Sequence, residues 1–218
     1  MIIAIDGPAG SGKSTIAKLV AVKLDFLYID TGAMYRALTL KAMQTGLDLK
    51  DEAVLVNLAK TTSIKLQTQP DGKTRVLLDN LDVTKQIRTP EVTNNISYIA
   101  DVPGVREQMV KLQRAVGHSA KKGAVLEGRD IGTVVFPDAE KKFYLDASVE
   151  ERAHRRHKEL LESGIERELN QIKEDIIVRD DKDKKRKVGT LKKAQDAVFV
   201  DTTNLTIQEV TEKVLSGI

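Results

Sequence analysis

Residues 7–14 have the composition and spacing of a loop that binds the phosphates of a nucleoside triphosphate. They read Gly-Pro-Ala-Gly-Ser-Gly-Lys-Ser and follow the short, mostly apolar run of residues 1–6. In such a G-x-x-x-x-G-K-S loop, backbone N–H groups surround the phosphates and a helix begins directly afterwards. Lys13 is expected between the β- and γ-phosphates of ATP or GTP, and the Ser14 hydroxyl is expected on the accompanying Mg²⁺ ion. The predicted nucleotide-binding residues are Gly7, Pro8, Ala9, Gly10, Ser11, Gly12, Lys13, Ser14 and Thr15.

A second group of polar side chains follows the next predicted strand. Residues 30–36 read Asp-Thr-Gly-Ala-Met-Tyr-Arg. Ligands of open α/β sheets bind at the carboxyl ends of the strands, where this hydroxyl, phenol and guanidinium would lie. Arg36 is therefore a candidate phosphate ligand, because a guanidinium binds phosphate through two parallel hydrogen bonds. The alternative is a helix start with a solvated arginine.

A third group, Glu127-Gly128-Arg129-Asp130, ends another apolar run. Arg129 can neutralise a phosphate, Asp130 can accept a hydrogen bond from an exocyclic amine, and Glu127 can orient water around Mg²⁺. The alternative is an ion-pair network that satisfies itself, since structural networks resemble functional sites.

Residues 179–189 are dense in charge and nearly free of apolar side chains. This composition predicts a surface loop or a lid rather than core. A lid would bring cations onto the bound phosphates when it closes, whereas a solvated face or a nucleic-acid patch are the alternatives. Upstream, Arg152 and Arg156 are one helical turn apart and are predicted to project together toward the γ-phosphate.

Short apolar runs alternate with amphipathic segments along most of the chain. This alternation predicts an α/β fold with a parallel five-stranded sheet covered by helices on both faces. Helix starts are predicted at Ser148 and Thr206, each followed by glutamate three residues later, and at Pro103. The predicted strands are about 2–6, 26–30, 124–127, 141–146 and 197–201.

Residues 63–92 interrupt the alternation. Apolar runs flank Pro70-Asp71-Gly72, a hairpin signal, and Asp79-Asn80 suggests a second turn. A small antiparallel β insertion is therefore predicted here.

The length of 218 residues fits one domain with an insertion. No cysteine is present, which agrees with a reducing compartment, and no run approaches the length of a membrane span. With 35 basic and 32 acidic residues the net charge is only +3, so no global field favours nucleic acid or a membrane surface. We expect a cytoplasmic protein, a monomer, with no nucleic-acid or membrane partner.

Five motifs in this order resemble those of bacterial-type cytidylate kinases, from about residue 2 to residue 210. The resemblance implies a P-loop kinase fold in one domain, with a monophosphate-binding region at about 31–110 and a mobile lid at about 152–190. The motifs are Gly-Pro-Ala-Gly-Ser-Gly-Lys-Ser, Asp-Thr-Gly-Ala-Met-Tyr-Arg, Glu-Gly-Arg-Asp-Ile-Gly-Thr-Val-Val-Phe-Pro-Asp-Ala, Glu-Arg-Ala-His-Arg-Arg and Arg-Asp-x-x-Asp-x-x-Arg.

The resemblance implies an enzyme that transfers the γ-phosphoryl group of ATP to CMP or dCMP and so forms CDP or dCDP. Mg²⁺ is expected on the phosphates of the donor. The residues at the family's catalytic positions are Lys13, Arg129, Arg186, Arg152 and Arg156. Thr31, Ser97, Arg106 and Asp130 fall where the family contacts cytosine; Arg36, Arg129 and Arg186 fall on the CMP phosphate; Arg179 and Asp183 fall near the ribose; and Tyr35 lines that pocket.

Two positions depart from the family pattern, which often has serine at Thr31 and aspartate at Glu127. A GTP-operated switch is the competing class, but it requires an Asn/Thr-Lys-x-Asp motif, and the nearest string, at residues 84–87, lacks the aspartate. Shikimate-type and adenylate-type kinases are the alternatives among kinases, and neither explains Gly128-Arg129-Asp130 together with the insertion.

Overall fold

The computed structural model describes residues 1–68, 74–162 and 164–218. Its strands, in chain order, are β1 (Ile2–Asp6), β2 (Leu27–Asp30), β3 (Ile64–Thr68), β4 (Thr74–Leu78), β5 (Leu81–Asp82), β6 (Ala124–Gly128), β7 (Lys141–Asp146) and β8 (Val198–Asp201). Its helices are α1 (Lys13–Leu24), α2 (Thr31–Gln44), α3 (Glu52–Thr61), α4 (Pro90–Ala100), α5 (Pro103–Ser119), α6 (Val149–Glu162), α7 (Leu169–Lys185) and α8 (Ile207–Ser216).

The predicted five-stranded parallel sheet is confirmed, with the strand order β2-β6-β1-β7-β8. Its central strands are apolar on both faces, as expected for a sheet covered by helices on both sides. Ala4 and Leu126 pack on the side of α2 and α5, whereas Ile3, Ile5 and Val125 pack on the side of α1 and α8. The carboxyl ends of β1, β2, β6 and β7 therefore lie along one edge.

The predicted β insertion is a three-stranded antiparallel sheet, in the order β3-β4-β5. Asp79 and Asn80 form the second predicted turn, with φ of 48° and 69°. Such left-handed values are tolerated by aspartate and asparagine. The first predicted turn, Pro70-Asp71-Gly72, lies outside the described residues. Buried Val76 and Leu78 join the insertion to the same core as α2.

The helix starts follow the sequence signals. Thr206 and Glu209 form a complete capping box at α8, and Pro103 begins α5. At α6, the Ser148 hydroxyl accepts a hydrogen bond from the Glu151 N–H at 3.2 Å, while the Glu151 carboxylate binds Arg155. Within the described residues, no helix combines the length and apolar character that crossing a bilayer requires.

The prediction of a loop at residues 179–189 is wrong for most of its length. Residues 179–185 form the last part of α7, and Asp180 and Asp183 are buried. The high charge of this segment suggested exposure to solvent. Its two buried carboxylates instead lie against arginines, and a buried charge is tolerated when it is paired. Whether the segment moves as a lid stays a prediction.

Candidate active site

The phosphate-binding loop, residues 7–15, connects β1 to α1 at the carboxyl edge of the sheet. Gly7 has a φ of +156°, and a Cβ at this position would overlap the carbonyl oxygen of Leu145, so only glycine allows the loop to approach β7. Ser14 and Thr15 are exposed in the first turn of α1. The N–H groups of this turn have no partner within the helix and favour an anion.

Lys13 is 6% exposed, and its Nζ donates a hydrogen bond to the carbonyl oxygen of Pro8 at 2.9 Å. Burial, followed by repulsion from Arg129, lowers the pKa of the Lys13 ammonium to about 7. A phosphate in the loop would oppose both effects, because it favours the charged form of the lysine.

Asp6, at the end of β1, is a site residue that the sequence reasoning missed. Its two carboxylate oxygens accept hydrogen bonds from the N–H groups of Ile131 and Gly132, each at 2.8 Å. These residues begin a π-helical turn, Ile131–Val135, directly after Asp130. Burial raises the pKa of Asp6 to about 7. The only sequence signal was a charged residue closing an apolar strand, and Asp6 ties the phosphate-binding loop to the Asp130 segment.

Asp30 and Arg36 lie at the start of α2. Asp30 caps this helix by accepting from the Ala33 N–H at 2.7 Å, and it binds Arg36 Nη2 at 3.1 Å. Burial alone would raise the pKa of Asp30, but Arg36 holds it below its usual value. Arg36 Nε is buried and has no hydrogen-bond partner among the described residues. Arg36 is thus held in place with an unused donor.

Glu127 is buried between β2 and the phosphate-binding loop. Its carboxylate accepts from the Tyr28 hydroxyl at 2.8 Å, and its carbonyl oxygen accepts from the Thr31 hydroxyl at 2.6 Å. Burial and then the Glu127 charge raise the pKa of Tyr28. Glu127 also favours the charged form of Lys13. These contacts make Glu127 a link between the two sides of the site.

Arg106 and Asp130 form a buried pair through Arg106 Nη2 and Asp130 Oδ2. Arg106 also donates to the carbonyl oxygen of Ala100 at 3.2 Å, and its guanidinium lies 5.4 Å from the centre of the Tyr35 ring. Arg106 Nε and the Tyr35 hydroxyl are buried without partners among the described residues. Burial raises the pKa of Asp130 even though Arg106 opposes it. Polar atoms with unused hydrogen-bonding capacity therefore converge here.

The carboxylate of Asp183 on α7 lies between two arginines. It accepts from Arg129 Nε at 2.8 Å and from Arg186 Nη2 at 2.6 Å, and Arg186 Nε donates to Asp101 at 2.6 Å. Burial alone would raise the pKa of Asp183, but Arg129 and Arg186 hold it below its usual range. The next residues fold over the pocket, where Gly189 lies against the Arg106 guanidinium.

The remaining predicted residues are distributed unevenly. Arg179 makes no hydrogen bond or ion pair with the described residues, and burial, followed by repulsion from Arg129, lowers its pKa to about 10. Ser97 is half-buried on α4. Arg152 is buried and contacts Ala9 and Asp180. Arg156 is partly exposed and pairs with Glu159, so the two arginines of α6 do not share one environment.

Arg129 and Asp130 form the ion-pair network that was the alternative interpretation of the sequence. Arg129 and Asp130 each pair with a residue of the protein itself, Asp183 and Arg106. Arg36, Arg129 and Arg186 nonetheless lie in one region, and each pairs with an aspartate whose place a phosphate can take. Such an arrangement can bind an anion and a polar ring side by side.

The family model described as Cytidylate kinase matches residues 3–218. A cytidylate kinase of Desulforamulus reducens is 53% identical over 216 residues, covering 99% of this chain and 96% of the relative. A cytidylate kinase of Bacillus pumilus is 54% identical over 215 residues, covering 99% and 94%. A solved structure of an uncharacterized protein from Eubacterium ventriosum aligns with a TM-score of 0.53 at 11% identity, over 99% of this chain and 96% of that one, which supports the fold alone.

Proposed function

The chain belongs to the cytidylate kinase family, and we propose that the residues described above carry out the reaction of that family. In this reaction the γ-phosphoryl group of ATP passes to CMP or dCMP, which yields ADP and CDP or dCDP. The donor is bound by the phosphate-binding loop and the acceptor by the arginine-rich region between α2, α5 and α7. Both regions lie at the same edge of the sheet, as the transfer requires.

On the donor side, the backbone of residues 7–15 and the Lys13 ammonium bind the triphosphate. Lys13 acts on charge that develops during transfer, because a fixed cation at this point stabilises the transition state more than the ground state. Its buried position supports this role, since electrostatic interactions are stronger away from water.

A Mg²⁺ ion fits the donor side as a partner of the nucleotide. The described residues contain no cluster of three acidic or histidine side chains that could hold a metal. Mg²⁺ in such sites is bound mainly by phosphates and water, with one or two protein ligands. The exposed Ser14 hydroxyl makes no hydrogen bond with the described residues and would supply that ligand. When bound, the ion neutralises charge on the transferred phosphoryl group.

On the acceptor side, Arg36, Arg129 and Arg186 bind the CMP phosphate. Arg36 has an unused Nε donor, and Arg129 and Arg186 share the carboxylate of Asp183. Arg179 and Asp183 bind the ribose, which carries hydroxyls that pair with both a donor and an acceptor.

The cytosine ring is bound by Asp130 and Arg106, with Thr31, Ser97 and Tyr35 around it. Asp130 accepts from the exocyclic amine, and Arg106 donates to the ring carbonyl or nitrogen. A uracil ring presents a carbonyl in place of the amine and would leave buried Asp130 without a donor from the base. Sites built on hydrogen bonds discriminate strongly against such analogues.

The transfer needs no general base, because the phosphate oxygen of CMP is already ionised near neutral pH. Catalysis rests on positioning and on neutralising charge between two anions. We assign these tasks to Lys13, Arg129 and Arg186. Arg156 of α6 is a further candidate for the γ-phosphate, whereas the donors of Arg152 already bind Ala9, Ala147 and Asp180. We also assign to residues 186–190, where Gly189 lies against Arg106, the exclusion of water, which would otherwise hydrolyse ATP.

The observation that carries the proposal is the buried Arg106–Asp130 pair directly beside Arg129. To test it, ADP formation is measured with CMP, dCMP, UMP and AMP at equal concentrations. We expect CMP and dCMP to be phosphorylated at least ~100-fold more efficiently than UMP, in terms of kcat/KM. Equal efficiency for CMP and UMP would overturn the assigned roles of Asp130 and Arg106.

We also propose that the protein acts as a cytoplasmic monomer and without nucleic acid. Light scattering after gel filtration, at a low and at a much higher protein concentration, tests the oligomeric state. A single species of twice the chain mass, 24.1 kDa, would contradict the monomer.

A further inference from the structure

Arg152 of α6 joins the phosphate-binding loop to α7. Its Nη1 donates to the carbonyl oxygen of Ala9 at 3.0 Å and to Asp180 Oδ2 at 2.6 Å. Its Nε donates to the carbonyl oxygen of Ala147 at 3.0 Å, which fixes the guanidinium to the start of its own helix. Arg152 and Asp180 are 4% and 6% exposed, so the contact is shielded from water.

The loop backbone also packs directly on this arginine. Gly10 has a φ of +76°, and a Cβ there would lie 3.1 Å from both the Cβ and the carbonyl oxygen of Arg152. Residues 9 and 10 therefore rest on Arg152 through a hydrogen bond and through van der Waals contact. A shift of the guanidinium would move the backbone that surrounds the phosphates.

Asp180 lies three residues before Asp183 on α7, and residues at this spacing share one helix face. Asp183 binds Arg129 and Arg186 on the acceptor side. The same face of α7 thus contacts the donor side through Asp180 and the acceptor side through Asp183. Asp180 Oδ1 is buried and has no partner among the described residues, so Arg152 is the principal partner of this carboxylate.

We propose that Asp180 is a positioning residue that couples α7 to the phosphate-binding loop through Arg152. In this arrangement, nucleotide binding by the loop depends on the docking of the helix that also carries the acceptor-side residues. The inference rests on the proposed function, because it takes the loop as the ATP site. It differs from the prediction that Arg152 reaches the γ-phosphate, since it makes the arginine a support for the loop backbone.

The physical basis is the cost of removing the nearer of two carboxylates from a buried arginine. Asp146 Oδ1 lies 3.8 Å from Arg152 Nε and is partly exposed, so it compensates the guanidinium only incompletely when Asp180 is neutral. Replacing a carboxylate by an amide of the same shape removes the charge that holds Arg152, whereas the guanidinium remains charged. The Ala9 carbonyl then loses a donor of fixed position. The loop becomes less well ordered for phosphates, even though no residue that would contact the nucleotide has changed.

ADP is the probe that separates the two roles of Arg152, because it lacks the γ-phosphate. ADP affinity is measured by calorimetry in the wild type, in Asp180→Asn and in Asp181→Asn. Asp181 is the adjacent, exposed residue, paired with Lys185. We expect Asp180→Asn to weaken ADP binding about tenfold, the effect of one lost charge-assisted hydrogen bond, and Asp181→Asn to change it less than about twofold.

Arg152→Met and the double variant complete a cycle. If the pair acts as one unit, adding Asp180→Asn to Arg152→Met weakens ADP binding by less than about twofold further. Unchanged ADP affinity in Asp180→Asn, or effects that multiply in the double variant, would overturn the proposal. If Asp180→Asn does not fold, ADP affinity is measured in Arg152→Lys, which keeps the charge but not the planar guanidinium. We expect the same loss of about tenfold in ADP affinity.

Kinetic measurements distinguish positioning from general damage. Asp180→Asn should raise KM for ATP more than KM for CMP, whereas equal increases in the two KM values would indicate a disturbance of the whole site and would count against the inference. A loss of folded protein would instead lower the apparent kcat and leave both KM values unchanged. The proposed function is tested separately by wild-type transfer to CMP. Failure of that reaction would overturn the kinase assignment. The ratio of the ADP dissociation constants of variant and wild type tests only the Arg152 contact.

Discussion

The donor and acceptor sides of the site use different groups to bind an anion. The phosphate-binding loop is one continuous segment, and it presents backbone N–H groups and a single lysine. The acceptor side collects Arg36, Arg106, Arg129 and Arg186 from four separate parts of the chain, and each is paired with an aspartate. Phosphate must therefore compete with carboxylates on the acceptor side but not in the loop.

The difference has a consequence for binding energy. A phosphate that replaces Asp183 as a partner of Arg129 gains only the difference between two charge-assisted interactions. The carboxylates hold the arginines in position and limit the affinity for any simple anion. Selection then falls to the base-binding residues Arg106 and Asp130, since a phosphate alone does not distinguish CMP from other monophosphates.

The largest expected effect is on the donor side. Lys13→Met should fold and should reduce kcat at saturating ATP and CMP by at least ~100-fold, because the loop has one lysine for the developing charge. Lys23→Met, in the exposed last turn of α1, is the matched control and should retain full activity. Wild-type turnover in Lys13→Met would remove the lysine from the mechanism.

The acceptor side should lose selectivity rather than all activity. Asp130→Asn replaces an acceptor by an amide that can donate to the O4 of uracil, so the ratio of kcat/KM for CMP to that for UMP should fall by about 100-fold. Asp138→Asn, on the exposed end of the same segment, should leave the ratio unchanged. A selectivity that survives Asp130→Asn would mean that other groups recognise the base.

Arg186 should affect the acceptor side and not the donor side. Arg186→Ala should lower kcat/KM for CMP roughly 30-fold, the value of a charge-assisted hydrogen bond of about 2 kcal/mol, and should leave ADP affinity unchanged. Lys187→Ala, the exposed neighbour, serves as control. Digestion by trypsin near residues 184–187 should also slow when CMP and ADP are both present. Unaltered CMP kinetics together with unaltered digestion would exclude Arg186 from binding the CMP phosphate.

The smallest effect concerns pH. The pKa of Lys13 is about 7, and bound phosphate favours the charged form, so binding requires uptake of a proton above pH 7. ADP affinity should therefore fall as pH rises from 7.5 to 9, by at most about tenfold per pH unit. In Lys13→Arg the guanidinium stays charged and this dependence should disappear. An affinity that is constant over this range in the wild type would contradict the proposed coupling.

Much of the fold was predictable because its signals are local. The five parallel strands were predicted from apolar runs. The helix start at Thr206 was predicted from its spacing to Glu209, and the start at Pro103 from the proline. The end of α7 was not, because aspartate and lysine at residues 179–185 read as a solvated loop. Asp180 and Asp183 are buried because Arg152, Arg129 and Arg186 lie opposite them. Pairing between residues that are distant in the sequence leaves no local pattern.

The sequence alone determined the phosphate-binding loop, since its conformation and its chemistry both reside in one stretch of nine residues. It also indicated, by motif order, which arginines belong to the acceptor side. The tertiary structure decided what each of them contacts: Asp183 between Arg129 and Arg186, Asp130 against Arg106, and Asp6 beneath the Ile131 turn. The reason is physical, because the energy of a buried charge depends on neighbours that only the folded chain brings within hydrogen-bonding distance.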